Sequence, residues 1–150
     1  VREGRDPSSL DYKSSPLERA TETMELLRPV LGLPAEGYAR DPQLIEIAFG
    51  DWEGSTIALL HQNDPVRISQ REHDKWHFLP PGGESYEMCS ARMRAWYDGL
   101  SRDVVVTSHG GTCRGLMACL GIAKPAAAPL SDIIQGEVYV FQGDKLTRYA

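Results

Sequence analysis

The chain has 150 residues, 41% of them hydrophobic and 25% charged, which excludes collagen-like, low-complexity and disordered classes. Lys and Arg number 16 against 21 Asp and Glu, a formal charge of -5, so no general attraction to nucleic acid or an anionic membrane surface is expected and an anionic ligand must be held locally. The charge-poor stretch around Gly115 to Ala123 is far shorter than the roughly 20 apolar residues of a membrane span.

A chain of this size buries about 68–70% of the surface it exposes when unfolded, so a single domain over residues 1–150 with its own core is expected. Cys89, Cys113 and Cys119 are odd in number, have no C-x-x-C spacing and read as reduced core residues. With no apolar signal segment, this fits a cytoplasmic protein. The start at Val1, without Met, reads as other than a natural N-terminus.

In chain order, Leu10 to Lys13 reads as a short strand, followed by Ser14-Ser15-Pro16-Leu17-Glu18. Ser15 as N-cap, Pro16 at the first helical position and Glu18 three residues after the cap make a capping box. Leu17, Ala20, Met24, Leu27 and Leu31 then follow a 3.6-residue period, with Pro29 ending or kinking the helix before Gly32. Residues from Leu33 to Gly54 read as a structured loop with one apolar patch from Leu44 to Gly54. Ser55 or Thr56 caps a short helix through Leu60, Pro65 begins another toward Trp76, and Pro80-Pro81-Gly82-Gly83 is a break. Ser85 caps a helix whose buried stripe is Cys89, Met93, Trp96 and Leu100.

Val104-Val105-Val106-Thr107-Ser108 is a β-branched run of the kind buried on both faces of a sheet. His109-Gly110-Gly111-Thr112 follows, then an apolar helix to Leu120 with Gly121 beyond its end. Glu137 to Gln142 and Lys145 to Tyr149 form two strands joined across Gly143-Asp144.

Three residues stand where chemistry is favoured. His109 lies at the carboxyl end of a strand and just before a helix, the place where open α/β sheets bind anions, with Gly110 and Gly111 allowing close backbone approach. Arg19 is a cation in a helix first turn, against the positive end of the macrodipole, a conflict an anion would relieve. Glu46, between Ile45 and Ile47 and near Phe49 and Trp52, would have a raised pKa and proton-donor character if partly buried. Each also has a plain structural reading: a hydrogen-bonded turn histidine, a solvated arginine paired with Glu22, and a carboxylate turned outward by alternation. Glu53 and Glu84, alone, read as surface carboxylates. His73 and His77 have metal-ligand spacing, but no Glu follows His73, so a solvated helix end is favoured. No nucleotide-binding glycine loop and no G-x-S-x-G elbow is present.

Taken together, Ser14 to Thr23, Leu44 to Gly54, Pro81-Gly82-Gly83-Glu84-Ser85 and Val104 to Gly111 closely resemble the histidine phosphatase superfamily, the phosphoglycerate mutase-like family. The resemblance covers the chain from about Leu10 onward. It implies an α/β fold, a three-layer α/β/α sandwich with a phosphate pocket at the carboxyl ends of its strands, and phosphomonoester hydrolysis through a phosphohistidine. Arg19 matches the arginine that clamps the phosphoryl oxygens, and His109 matches the second histidine, which hydrogen-bonds the phosphoryl group, with Gly110 beside it in the phosphate site. Glu46 matches the proton donor to the leaving oxygen; Glu84 belongs to a family-like loop without a catalytic role.

The resemblance also implies an upstream Arg-His-Gly strand, and none of His61, His73, His77 and His109 follows an Arg. The chain is therefore read as this domain without its first, central strand and nucleophile, an arrangement that leaves sheet edges open and favours a homodimer by strand exchange. A small phosphate ester is the expected partner, without nucleic acid, membrane, metal or cofactor, and the short connections favour a phosphatase over a mutase. The alternative is a non-catalytic phospholigand-binding or interaction protein.

Overall fold

The structure, a computed structural model, describes Gly4 and residues 6–150; Val1 to Glu3 and Arg5, on which the reading of the N-terminus rested, lie outside the described residues. In chain order the elements are β1 (Asp11–Ser14), α1 (Glu18–Val30), β2 (Ala39–Arg40), α2 (Ile57–Asn63), α3 (Pro65–His73), α4 (Tyr86–Asp98), β3 (Val104–Thr107), α5 (Gly110–Cys119), β4 (Val138–Gln142) and β5 (Lys145–Tyr149), with single 3-10 turns between some of them. The chain divides into two compact units, Val1–Glu46 with Ala95–His109, and Ile47–Arg94 with Gly110–Ala150.

The first unit is built on a parallel sheet of order β2-β1-β3. All four residues of β1 pair with β3, Asp11 with Val104 through Ser14 with Thr107, and the Ser15 N–H extends the ladder to the Thr107 carbonyl at 2.9 Å. Parallel neighbours need a long crossover, and α1 supplies the one between β1 and β2. The short strand β2 falls inside the stretch expected to be loop. It forms because Ala39 and Arg40 pair with Lys13 and Ser14, and the next N–H, of Asp41, donates to the Ser14 carbonyl at 2.8 Å. The Asp41 carboxylate then accepts from Lys13 Nζ at 3.2 Å, Trp96 Nε1 at 3.1 Å and the Gln43 N–H at 3.0 Å. Burial works against its charge, but these donors outweigh burial and hold its pKa below the usual carboxylate value.

Two expectations for α1 are corrected. The helix starts at Glu18 with extended Leu17 in the cap position and no side-chain cap, so Ser15 and Pro16 precede it. The Ser15 hydroxyl still accepts from the Leu17 N–H at 3.3 Å. The buried face is Ala20, Thr21, Met24 and Arg28, with Leu27 half-buried: a four-residue step from Ala20 leads to Arg28 rather than to the neighbouring leucine. Pro29 lies inside the last turn, and Gly32 takes a positive φ of 77° just beyond it.

The β3 valines are also corrected: Val104, Val105 and Val106 are only half-buried, and Thr107 alone is buried. The cause is position, since β3 has a hydrogen-bonded strand neighbour on one side only among the described residues.

The second unit contains a core of Trp52, Leu60 and Ile68, with Phe49 and Phe78 packed against it and the Trp52 and Phe78 rings stacked at 5.2 Å. Thr56 caps α2 by accepting from the Leu59 N–H, and Ser85 accepts from the Met88 N–H at the start of α4, as expected. The stripe of α4 is buried at Cys89, Met93 and Trp96, but Leu100 lies past the helix end and is half-buried. The three cysteines are free, yet only Cys89 is buried. The glycines of two loops interlock: a Cβ on Gly50 would lie 2.1 Å from the Pro81 carbonyl oxygen, and one on Gly83 would lie 2.6 Å from the Ala48 oxygen. Strands β4 and β5 form the expected antiparallel hairpin, closing at Gln142 and Lys145 around Gly143 and Asp144.

Candidate active site

The site lies in the first unit, where β1 and β3 end side by side. Their last residues are hydroxyl-bearing: Thr107 Oγ1 is 2.9 Å from both Ser14 Oγ and the Ala20 carbonyl oxygen, which ties both strand ends to the first turns of α1. Ser14 and Ser15 are completely buried. With the strand ends fixed, the residues that follow them, Ser15 and His109, face one another.

His109 Nε2 lies 2.7 Å from Ser15 Oγ, and the same hydroxyl accepts from the Leu17 N–H at 3.3 Å. Ser15 reads as the helix cap in the sequence; in the structure its hydroxyl keeps a bond to the Leu17 N–H and meets the histidine as well. His109 is half-buried and directly precedes α5, whose first residue is Gly110. A Cβ on Gly110 would lie 3.1 Å from Arg114 Nη1, so a bare backbone suits this position.

Ser108 Oγ donates to the Leu44 carbonyl at 2.9 Å, which binds the turn carrying His109 to the segment carrying Glu46. Within that segment Leu44 and Ile47 are buried, Glu46 is half-buried and Ile45 is 39% exposed. Strict alternation does not hold here, because a 3-10 turn at Pro42–Leu44 precedes Ile45 and resets which side chains face inward. Arg19 stands exposed in the first turn of α1 and makes no ion pair with Glu22.

The three residues singled out in the sequence thus share one electrostatic environment. Burial pushes the His109 pKa below its ordinary value, the Glu46 carboxylate opposes that shift, and the Arg19 guanidinium reinforces it. The neutral imidazole is thereby favoured, and an anion arriving at the ring would favour the imidazolium. Among the described residues no cluster of three or more potential ligands could hold a metal ion. His77 is exposed, with Nδ1 at 2.7 Å from Asp74 Oδ2, a contact that raises its pKa. Glu84 forms a two-point pair with Arg92, whose Nε and Nη2 donate at 2.9 and 2.7 Å, so this carboxylate is a structural tie.

A parallel sheet with a helical crossover, its strand ends leading into Ser15 and His109, places the chain in the α/β class. The chain belongs to the histidine phosphatase superfamily, branch 1, whose family model matches residues 4–145. It is 34% identical over 119 residues to the adenosylcobalamin/alpha-ribazole phosphatase of Escherichia coli, a match covering 76% of this chain and 57% of that protein. It is 28% identical over 141 residues to a 2,3-bisphosphoglycerate-dependent phosphoglycerate mutase of Beijerinckia indica, covering 86% of this chain and 66% of the mutase. The crystal structure of the alpha-ribazole phosphatase from Shigella flexneri superposes with a TM-score of 0.74 at 27% identity, covering 91% of this chain and 70% of that one. Its relatives are thus phosphatases and phosphoglycerate mutases, and the chain spans 57% and 66% of the length of the two curated relatives named.

Proposed function

We propose that the protein is a phosphomonoester hydrolase acting through a phosphohistidine, with a small phosphate ester as substrate. The observation that supports this reading is the 2.7 Å contact of His109 with buried Ser15, together with the Glu46 and Arg19 charges that act on the same ring. In this reading Arg19 clamps the phosphoryl oxygens, His109 donates to one of them with Gly110 leaving room beside it, and both stabilise the charge of the transition state. Glu46 gives its proton to the leaving oxygen and later takes one from the water that hydrolyses the phosphoenzyme, a role contributing about 10²–10⁴-fold. The attacking histidine is a further one, in an Arg-His-Gly segment that these 150 residues do not contain.

The test has two parts. Intact mass of the protein as expressed is compared with 16.6 kDa, and hydrolysis of p-nitrophenyl phosphate is followed for wild type and for His109→Ala. A larger mass with activity that falls about 10²–10³-fold in the variant is expected; equal turnover by the two would overturn the assignment. A second reading rests on the absence of any Arg-His pair: a phospholigand-binding module retaining Arg19 and His109 without turnover. It predicts saturable vanadate binding by the protein, lost in Arg19→Ala, with no hydrolysis at any concentration.

A further inference from the structure

The buried face of α1 carries a cation that the active site does not use. Arg28 is 6% exposed, and its partners are carbonyl oxygens and a ring: Nε donates to Pro34 at 2.8 Å, Nη2 donates to Glu36 at 3.1 Å, and the guanidinium lies 4.6 Å from the centre of the Tyr12 ring. Among the described residues no carboxylate pairs with it and nothing bonds Nη1.

The space that Arg28 borders is a pocket of about 370 Å³. It lies along the first half of β1, on the flank away from β3, where β2 pairs only with Lys13 and Ser14 and, among the described residues, no strand pairs with Asp11 and Tyr12. The other charges in its wall are already matched: Asp11 pairs with Arg102 and Lys13 with Asp41, each at 3.2 Å. Tyr12, Tyr38 and Leu33 supply flat and apolar surface. The pocket therefore presents one unmatched positive charge, with free N–H donors, against an apolar wall.

We propose that this pocket is a second binding site, separate from the Arg19 and His109 site, for a small organic monocarboxylate with a flat apolar body. A carboxylate matches the planar N–H donors of a guanidinium, and a single negative charge neutralises the single uncompensated one. A dianion would leave excess negative charge beside Asp11. The pocket size suits a small molecule.

The test is a chemical-shift titration of the ¹⁵N-labelled protein with benzoate, with benzyl alcohol and inorganic phosphate titrated in parallel. Benzoate is expected to shift the Gly37 and Tyr38 amides saturably, benzyl alcohol and phosphate to leave them in place, and Arg19→Ala to change nothing at these amides. Arg28→Lys and Ala39→Glu are each expected to weaken benzoate about tenfold or more, since each removes or opposes one charge-assisted contact. Ala39 is exposed on β2, so its substitution leaves the Arg28 bonds intact and decides the matter should Arg28→Lys fail to fold. Absence of benzoate shifts at these amides, equal shifts from benzyl alcohol or phosphate, or a wild-type titration in Ala39→Glu would each overturn the proposal.

Discussion

Ser15 shows how one hydroxyl sets the state of a site. It is completely buried, accepts from the Leu17 N–H and meets His109 Nε2 at 2.7 Å, so it fixes the ring without any charge of its own. Ser15→Ala should cost about 1–3 kcal/mol by stranding both partners. Its effect on His109 should be visible as a changed ring titration by NMR while the rest of the spectrum stays native. The pH behaviour of His109 has a definite sign. Its folded pKa lies below the unfolded value because burial disfavours the charged ring, so its contribution to stability is complete above about pH 6.5 and is lost as pH falls through the folded value. Thermal unfolding from about pH 8 down to about pH 5 should therefore show a steeper acid loss in wild type than in His109→Gln. Phosphate bound at the site should raise the His109 titration, because the anion favours the imidazolium.

At the scale of elements, the long periodic segments and their punctuation were legible: α4 with its Ser85 cap, α2 with Thr56, and the two-residue hairpin at Gly143 are all where pattern and turn chemistry place them. Arg19, Glu46 and His109 were singled out on residue type and position on an element, which are local properties, and in the structure the charges of Glu46 and Arg19 act on His109. What was not legible depends on partners distant in sequence. The strand β2 is two exposed residues with no pattern of its own, made by the edge of β1. The Ser15 hydroxyl bonds the nearby Leu17 N–H, which the local pattern suggests, but its second contact, with His109 94 positions away, has no local signal. Asp41 is the element-scale joint that sequence could not reveal, since Lys13 and Trp96 come to it from other elements. Asp41→Ala should destabilise the protein by about 1–3 kcal/mol, chiefly by leaving the Trp96 N–H and the Lys13 ammonium unpaired, as chemical denaturation would measure. Gly50→Ala combines a left-handed φ of 57° with a Cβ 2.1 Å from the Pro81 oxygen. It should cost more than the roughly 1–2 kcal/mol of the backbone conformation alone. Ala at Gly54, where φ is 77° and no atom lies within 4 Å, should cost only that conformational part.

For the whole molecule, the sheet of the first unit has β1 paired on both flanks and, among the described residues, β2 and β3 on one each, so that β3 is an edge. Open strand edges recruit other strands, so self-association is expected to depend on concentration in sedimentation. A charge introduced on the edge, Val104→Lys, should reduce it. The same edge leaves a signature along the chain. Asp11 N–H donates to the Asp103 carbonyl and Ser15 N–H to that of Thr107, so the odd-numbered residues of this strand turn toward β1, and Val104 and Val106 turn their amides away. Deuterium uptake should then alternate residue by residue, slow at Val105 and Thr107 and fast at Val104 and Val106. Any strand that docks on this edge, from the same chain or another, would announce itself by erasing that two-residue rhythm, with no need to know in advance which segment it is.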